Sequence, residues 1–212
     1  MNCRKKTSIT IAAALLCFAA TGTNLLHAET TVDVAQQVKL NSSLSGKYAF
    51  SAWRTCVQSK YPNVPGFDPI SHAQLIDAEA MSFSESGIVR FNGNGTLKIV
   101  DAQVIRVGAP AVNSVPVMAG LRSSCTGTYA VHPDRSLDMV MSCSAQLPAN
   151  MTMTMGPFHY SGYIDLLNKT VTMSESDGTI QTIALSPTGS STPLYTFERI
   201  CASSGTLMQT GK

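Results

Sequence analysis

Residues 44–56 read LSGKYAFSAWRTC, and the parity of this stretch decides the fold. Even positions carry Leu44, Gly46, Tyr48, Phe50, Ala52, Arg54 and Cys56; odd positions carry Ser45, Lys47, Ala49, Ser51, Trp53 and Thr55. Successive side chains of an extended chain point to opposite faces, so one face here is mostly apolar and belongs to a core. The same period of two runs on towards the C-terminus. Turn residues interrupt it at intervals that suit an antiparallel meander, and helical periodicity is nearly absent.

Downstream, residues 57–79 break the rhythm with Pro62, Pro65, Gly66 and Pro69, then SHAQLIDAE, where Ser71 and Gln74 have capping-box spacing. This predicts a long surface loop with a short helix, placed where a lid would sit. GIVRFNGNGTLKIV (87–100) predicts a hairpin whose Asn-Gly pairs supply the positive φ of a tight turn. A second irregular stretch, GAPAVNSVPVMAG (108–120), leads into CTGTYAVHPDRSLDMVMSC (125–143), two strands joined around Pro133 and Asp134. FHYSGYIDLL, KTVTMSE, GTIQTIALS and LYTFERICAS come next, for about eight or nine strands. A twisted sheet of that length with no helices to cover it closes on itself or folds into two layers. Short hairpins favour an all-β, antiparallel up-and-down β-barrel over 44–212, because closure removes exposed edges. A Greek-key sandwich is the alternative.

Upstream, RKK at 4–6, an apolar run from Ile9 to Ala20 and LHA before Glu29 predict a secretory signal peptide over 1–28, followed by a flexible segment over 29–43. The apolar run is too short to span a bilayer as a helix. Leu16 stands before Cys17 where a lipobox wants a small residue, so lipidation is not expected. The whole chain has 15 Lys and Arg; without Arg4, Lys5 and Lys6 there are 12, against 13 Asp and Glu. That balance leaves no electrostatic footprint for nucleic acid or anionic membrane. The expected location is the periplasm or the exterior of a bacterium. The sequons at Asn41, Asn94, Asn150 and Asn168 are discounted on that ground.

Four cysteines lie beyond the signal: Cys56, Cys125, Cys143 and Cys201. An even number in an exported chain predicts two disulfides, and no C-x-x-C pair suggests redox or zinc chemistry. Cys125 and Cys143 stand nine residues either side of Asp134, so they can face each other across a hairpin. Cys56 and Cys201 are then joined, linking the strands that must meet if the barrel closes.

The phrases LSGKYAF, FNGNG and CTGTYAVHPD resemble the L-x-G-x-Y-x-F, F-x-G-x-G and G-T-Y-x-V-x-x-D rhythm of a family of exported bacterial domains without assigned activity. The resemblance covers Leu44 to Asp134, with the long loop as a departure. SGKY is also similar to the G-x-W opening of lipocalins, Tyr48 replacing the tryptophan, and Arg199 stands where the last lipocalin strand carries an arginine. The resemblance implies a calycin-like barrel and no catalytic residue.

Little in the chain looks like catalysis. There is no G-x-S-x-G, no free cysteine in prospect and no phosphate loop, and His72, His132 and His159 share no ligand spacing. The Asp and Glu residues are scattered and read as solvated surface. Met139, Met141 and Cys143 share a face, as do Met151, Met153 and Met155. Thioethers are soft ligands suited to Cu(I), but methionine more often lines apolar cavities, and no metal or other cofactor is expected. RTC at 54–56 and RIC at 199–201 place Arg54 beside Tyr48 and Phe50, and Arg199 beside Tyr195 and Phe197. With Cys56 opposite Cys201 the arginines lie four positions apart, about 13 Å along the strands.

The leading expectation is an exported soluble barrel that binds a small amphiphilic or lipophilic ligand without catalysis. Arg54 and Arg199 would anchor its anionic head, and Tyr48, Phe50, Tyr195, Phe197, Met139, Met141 and Met153 would form the wall. The bland alternative is that both arginines reach to the rim, or that Arg199 packs over an aromatic ring as a structural brace. Other functions weighed are a protein-interaction or inhibitor domain using the loops at 57–79 and 108–120, a periplasmic Cu(I)-binding protein, and an isomerase or hydrolase.

Overall fold

The computed structural model describes residues 34–107, 120–175 and 178–211. The expected signal peptide with Cys17, the start of the N-terminal segment and the irregular stretch at 108–119 lie outside the described residues. Helix α1 (Val34–Ser42) precedes β1 (Ser45–Ser59), β2 (Ala78–Asn92), β3 (Thr96–Val107), β4 (Gly120–Val131), β5 (Ser136–Leu147), β6 (Met151–Ile164), β7 (Thr170–Glu175), β8 (Ile180–Pro187) and β9 (Tyr195–Gly211). Every pairing is antiparallel, β1 to β7 pair in chain order, and β9 returns to pair with β1. The all-β barrel is therefore closed.

Nine strands make eight staves. β8 pairs with the first half of β6 and β7 with its second half, and β9 runs along both. β7 and β8 are one stave broken in the middle of the wall, and the break stands between Glu175 and Ile180.

Parity explains most of the interior. Tyr48, Phe50, Ala52, Arg54 and Cys56 are buried along β1, while Ser51, Trp53 and Thr55 are exposed. Two bulges then reverse the parity within a strand, as an extra residue does. In β3 the inward residues are Leu97 and Ile99 before the register shift and Ala102 after it, with Asp101 at φ 56°. In β6 the register shifts between Met155, opposite Cys143, and Phe158, opposite Met141. Met153 and Met155 on odd positions, and Phe158 and Tyr160 on even ones, thus all face inward. Gly162 of β6 is fixed by close approach, since a Cβ there would meet Thr172 O at 2.3 Å.

Both predicted disulfides are present. Cys56 joins Cys201 and Cys125 joins Cys143, each between directly opposed residues of neighbouring strands.

Three local expectations are corrected. Val34–Ser42 is helical rather than flexible, because tertiary contacts hold it. Asn41 Oδ1 accepts from Val131 N (2.9 Å), Asn41 O accepts from Tyr129 Oη (3.0 Å), and Gln37 Nε2 donates to Val131 O (3.1 Å). The short helix expected near Ser71 does not form. Asp68 Oδ1 accepts both Ser71 N (2.6 Å) and Ser71 Oγ (2.9 Å), Ser71 Oγ accepts from Ala73 N (3.4 Å) in the same local turn, and residues from Ala78 onward pair with β1 instead. The loop at 60–77 is also no lid. Gly66 N (2.7 Å) and Phe67 N (3.2 Å) donate to Glu198 Oε2, and Asn63 is bonded to Leu194 and Thr196. Glu198 alternates with the inward Phe197 and Arg199, so the loop lies on the outer wall.

The two ends of the barrel differ. Near the β2–β3 hairpin, Tyr48, Phe91 and Tyr129 stack edge to face at 5.4 and 5.0 Å, and Leu44, Leu137 and Val171 are fully buried around them. Tyr48 Oη donates to Asn168 O (2.6 Å) and Tyr129 Oη to Leu44 O (2.7 Å), so both hydroxyls are satisfied. Helix α1 belongs to this plugged end. The other half is hollow.

Candidate ligand cavity

The hollow half encloses about 350 Å³. Its apolar wall is built from inward positions of β2 to β6, including Val89, Ile99, Val104, Leu121 and Leu147. Among the described residues six methionines line it: Met81, Met139, Met141, Met153, Met155 and Met173. Met151 is not among them. These thioethers are spread over β2, β5, β6 and β7, as a flexible apolar lining requires.

A charged cluster occupies one side. Arg54 and Arg199 both line the cavity and are each 4% exposed. The register places Arg54 opposite Ser203 and Arg199 opposite Gln58, flanking the Cys56–Cys201 bridge four positions apart. Both guanidiniums reach the Phe158 ring, 4.5 Å from its centroid for Arg54 and 5.6 Å for Arg199.

The two arginines differ in their partners. Arg54 Nη1 lies 3.4 Å from Glu85 Oε1 and Arg54 Nε 3.5 Å from Glu175 Oε2, and Arg54 Nη2 donates to Tyr160 Oη. Burial opposes its charge, but the Tyr160 oxygen and the two carboxylates outweigh that and hold the guanidinium above its ordinary pKa. Arg199 makes one hydrogen bond, from Nε to Gln181 Oε1 (2.9 Å), and among the described residues no carboxylate lies within 4 Å of it. Burial, then repulsion from Arg54, pushes it down to about 10, so it stays charged at neutral pH. Its terminal nitrogens have no protein acceptor among the described residues and belong to the lining.

Glu175 is fully buried, accepts from Gln181 Nε2 through Oε1, and lies 3.4 Å from Ser203 Oγ through Oε2. Burial raises its pKa to about 6 against the pull of Arg54 and Arg199. Tyr160 is raised well above its ordinary range, chiefly by burial, and keeps its proton.

Of the residues predicted to contact a ligand, Arg54, Arg199, Phe50, Phe197, Met139, Met141 and Met153 line the cavity. Tyr48 does not; it belongs to the plug. Tyr195 is also outside the lining, half-exposed as the first residue of β9. The reading of all acids as solvated surface is corrected, because Glu85 and Glu175 turn inward with side chains 14% and 1% exposed. A signal was present: Glu85 shares parity with Met81, Phe83, Val89 and Phe91, and Glu175 with Val171 and Met173.

Among the described residues no three His, Cys, Asp or Glu side chains are grouped to hold a metal, and no helix is long and apolar enough to cross a membrane. No protein-family model, no curated protein and no solved structure matches this chain.

Proposed function

We propose that this chain is an exported, calycin-like barrel that binds one small amphiphilic molecule in its hollow half and performs no chemistry on it. The observation that carries this reading is the junction of a 350 Å³ apolar cavity with a buried guanidinium whose terminal nitrogens have no protein acceptor among the described residues. Ligand pockets of about 300–1,000 Å³, mostly apolar with a few placed polar groups, suit small organic ligands. Arg199 anchors an anionic head by charged hydrogen bonds, and the methionine and aliphatic wall takes the apolar body. Two disulfides in one barrel suit an oxidising compartment.

Native mass spectrometry of protein recovered from such a compartment, with decanoate and lysophospholipid as added probes, tests the reading. A co-purifying small molecule, or one probe bound per chain, is expected. A bare mass together with failure of both probes to bind overturns it.

A second reading uses the outer loop at 60–77 as a protein-docking surface, favoured by Ile70 at 91% exposed and by the exposed Tyr61 and Leu75. Substituting Ile70 and Leu75 with Ser separates the two, since cavity probes bind regardless of the loop surface.

A further inference from the structure

An anion held by Arg199, as the proposed function has it, disturbs the charge balance of the cavity. Resting on that function, we propose that the cavity takes up its anionic ligand together with one proton, the anion settling on Arg199 and the proton on Glu175.

Of the three guanidiniums that line the cavity, the partly exposed Arg106 pairs with Glu79 at 3.6 Å, and among the described residues the buried Arg54 and Arg199 face two carboxylates, Glu85 and Glu175, so this cluster is balanced. The distribution is uneven, however. Both carboxylates sit against Arg54, at 3.4 and 3.5 Å, and among the described residues none sits within 4 Å of Arg199. An incoming anion pairs with Arg199 and leaves one negative charge too many in a cluster of buried side chains. Buried charge without a partner is costly, and a titratable group neutralises instead. Once Glu175 is protonated, Arg54 with Glu85 and Arg199 with the ligand are two matched pairs.

Glu175 is the group that yields, for three reasons of geometry. Its side chain is more deeply buried than that of Glu85. Its ion pair is poorly formed, because Arg54 Nε is buried without a hydrogen bond although the carboxylate is 3.5 Å away. It is also joined to the anion site, since the Gln181 amide accepts from Arg199 and donates to Glu175. A pKa already raised to about 6 by burial shows how little more is needed. The groups around it offer no competing proton acceptor. Arg54 from β1 and Arg199 from β9 stay charged, and Tyr160 from β6 is already protonated. Ser203 from β9 and Gln181 from β8 do not titrate, and the Cys56–Cys201 bridge has no thiol. Glu85 from β2 holds its own pair with Arg54.

Decanesulfonate is the probe, because it stays ionised at every working pH and any proton taken up belongs to the protein. Calorimetric titration at pH 7 in two buffers of different ionisation enthalpy counts the protons. About one per bound sulfonate is expected, and affinity weakens about fivefold from pH 6 to 7 and about tenfold from pH 7 to 8, as a free-state pKa of about 6 requires. Decanol, which brings no charge, should bind with no uptake. Glu175→Gln should abolish both the uptake and the pH slope while holding the tighter affinity the wild type reaches at low pH. Sulfonate bound without proton uptake overturns this proposal and leaves the cavity reading intact, and so does uptake that persists in Glu175→Gln. Failure of both decanol and sulfonate to bind at any pH overturns the cavity reading itself. The contrast between sulfonate and decanol in the wild-type protein decides the matter even where the variant does not fold.

Discussion

Arg54 and Arg199 look equivalent in the chain, each two positions ahead of a bridged cysteine, and the structure makes them opposites. Arg54 is a brace between Glu85, Glu175 and Tyr160. Removing one partner of a buried charge network leaves the others uncompensated, so Arg54→Met should destabilise the fold by about 3–5 kcal/mol in urea unfolding at pH 7. Arg199 has no carboxylate within 4 Å among the described residues. Arg199→Met should leave the fold cooperative and weaken decanoate binding by about 1.5–3 kcal/mol, or about 10- to 150-fold, through loss of a charged hydrogen bond. Equal affinity in that variant would remove the anchor. Glu175 gives a pH prediction of definite sign. Its folded pKa, about 6, stands above its ordinary 4.5, so the native state holds the proton more tightly than the unfolded chain. The resulting stability is fully present below 4.5 and lost as pH rises through 6, a loss of about 2 kcal/mol. Urea unfolding across pH 4 to 8 should show this slope in the wild type relative to Glu175→Gln.

The strands themselves are held in register by two covalent links and by glycines at points of close approach. The Cys56–Cys201 bond spans 145 residues and the Cys125–Cys143 bond 18. In the chain-entropy account these are worth about 5 and about 3 kcal/mol. Replacing Cys56 and Cys201 by Ala should therefore lower the unfolding free energy more than replacing Cys125 and Cys143, with the paired double mutants compared by denaturant titration. The reverse order would show that the closing seam β1–β9 is not where the unfolded chain is most constrained. Most of this element-level order was legible: strand parity, the hairpin pairing and both cysteine partners follow from spacing. The β6 bulge was not. Strict alternation puts Met153 and Phe158 on opposite faces, yet both line the cavity, because an extra residue near Gly156 resets the register. A bulge depends on the partner strand, and the partner's spacing is absent from the strand's own residues.

As a whole the barrel divides into a plugged end, which carries stability, and a hollow end, which the proposed function uses. Asn41 of α1 tests that division. Its side chain supplies the acceptor for the buried Val131 N. Asn41→Ala should cost about 1–3 kcal/mol for the orphaned amide and leave decanoate affinity as it was, since the helix touches the end away from the cavity. A loss of affinity as large as the loss of stability would mean that the two halves are coupled.

Alternation and spacing in the sequence alone pointed to β-structure, put Arg54 and Arg199 on the apolar faces of their strands and, with closure of the barrel, paired the cysteines. These are properties of parity and spacing, which a strand of fixed geometry converts directly into faces and partners. Tertiary structure decided the rest. It decided that half of the interior is filled and half empty, because that depends on the summed volumes of side chains from eight staves. It decided that the long loop lies against the outer wall, because Glu198 offers two backbone amides an acceptor there. It decided, above all, that one arginine is neutralised and the other is not. Glu85 and Glu175 arrive from β2 and β7, strands far apart in the chain, and only closure of the barrel sets both carboxylates against Arg54 and, among the described residues, none within 4 Å of Arg199.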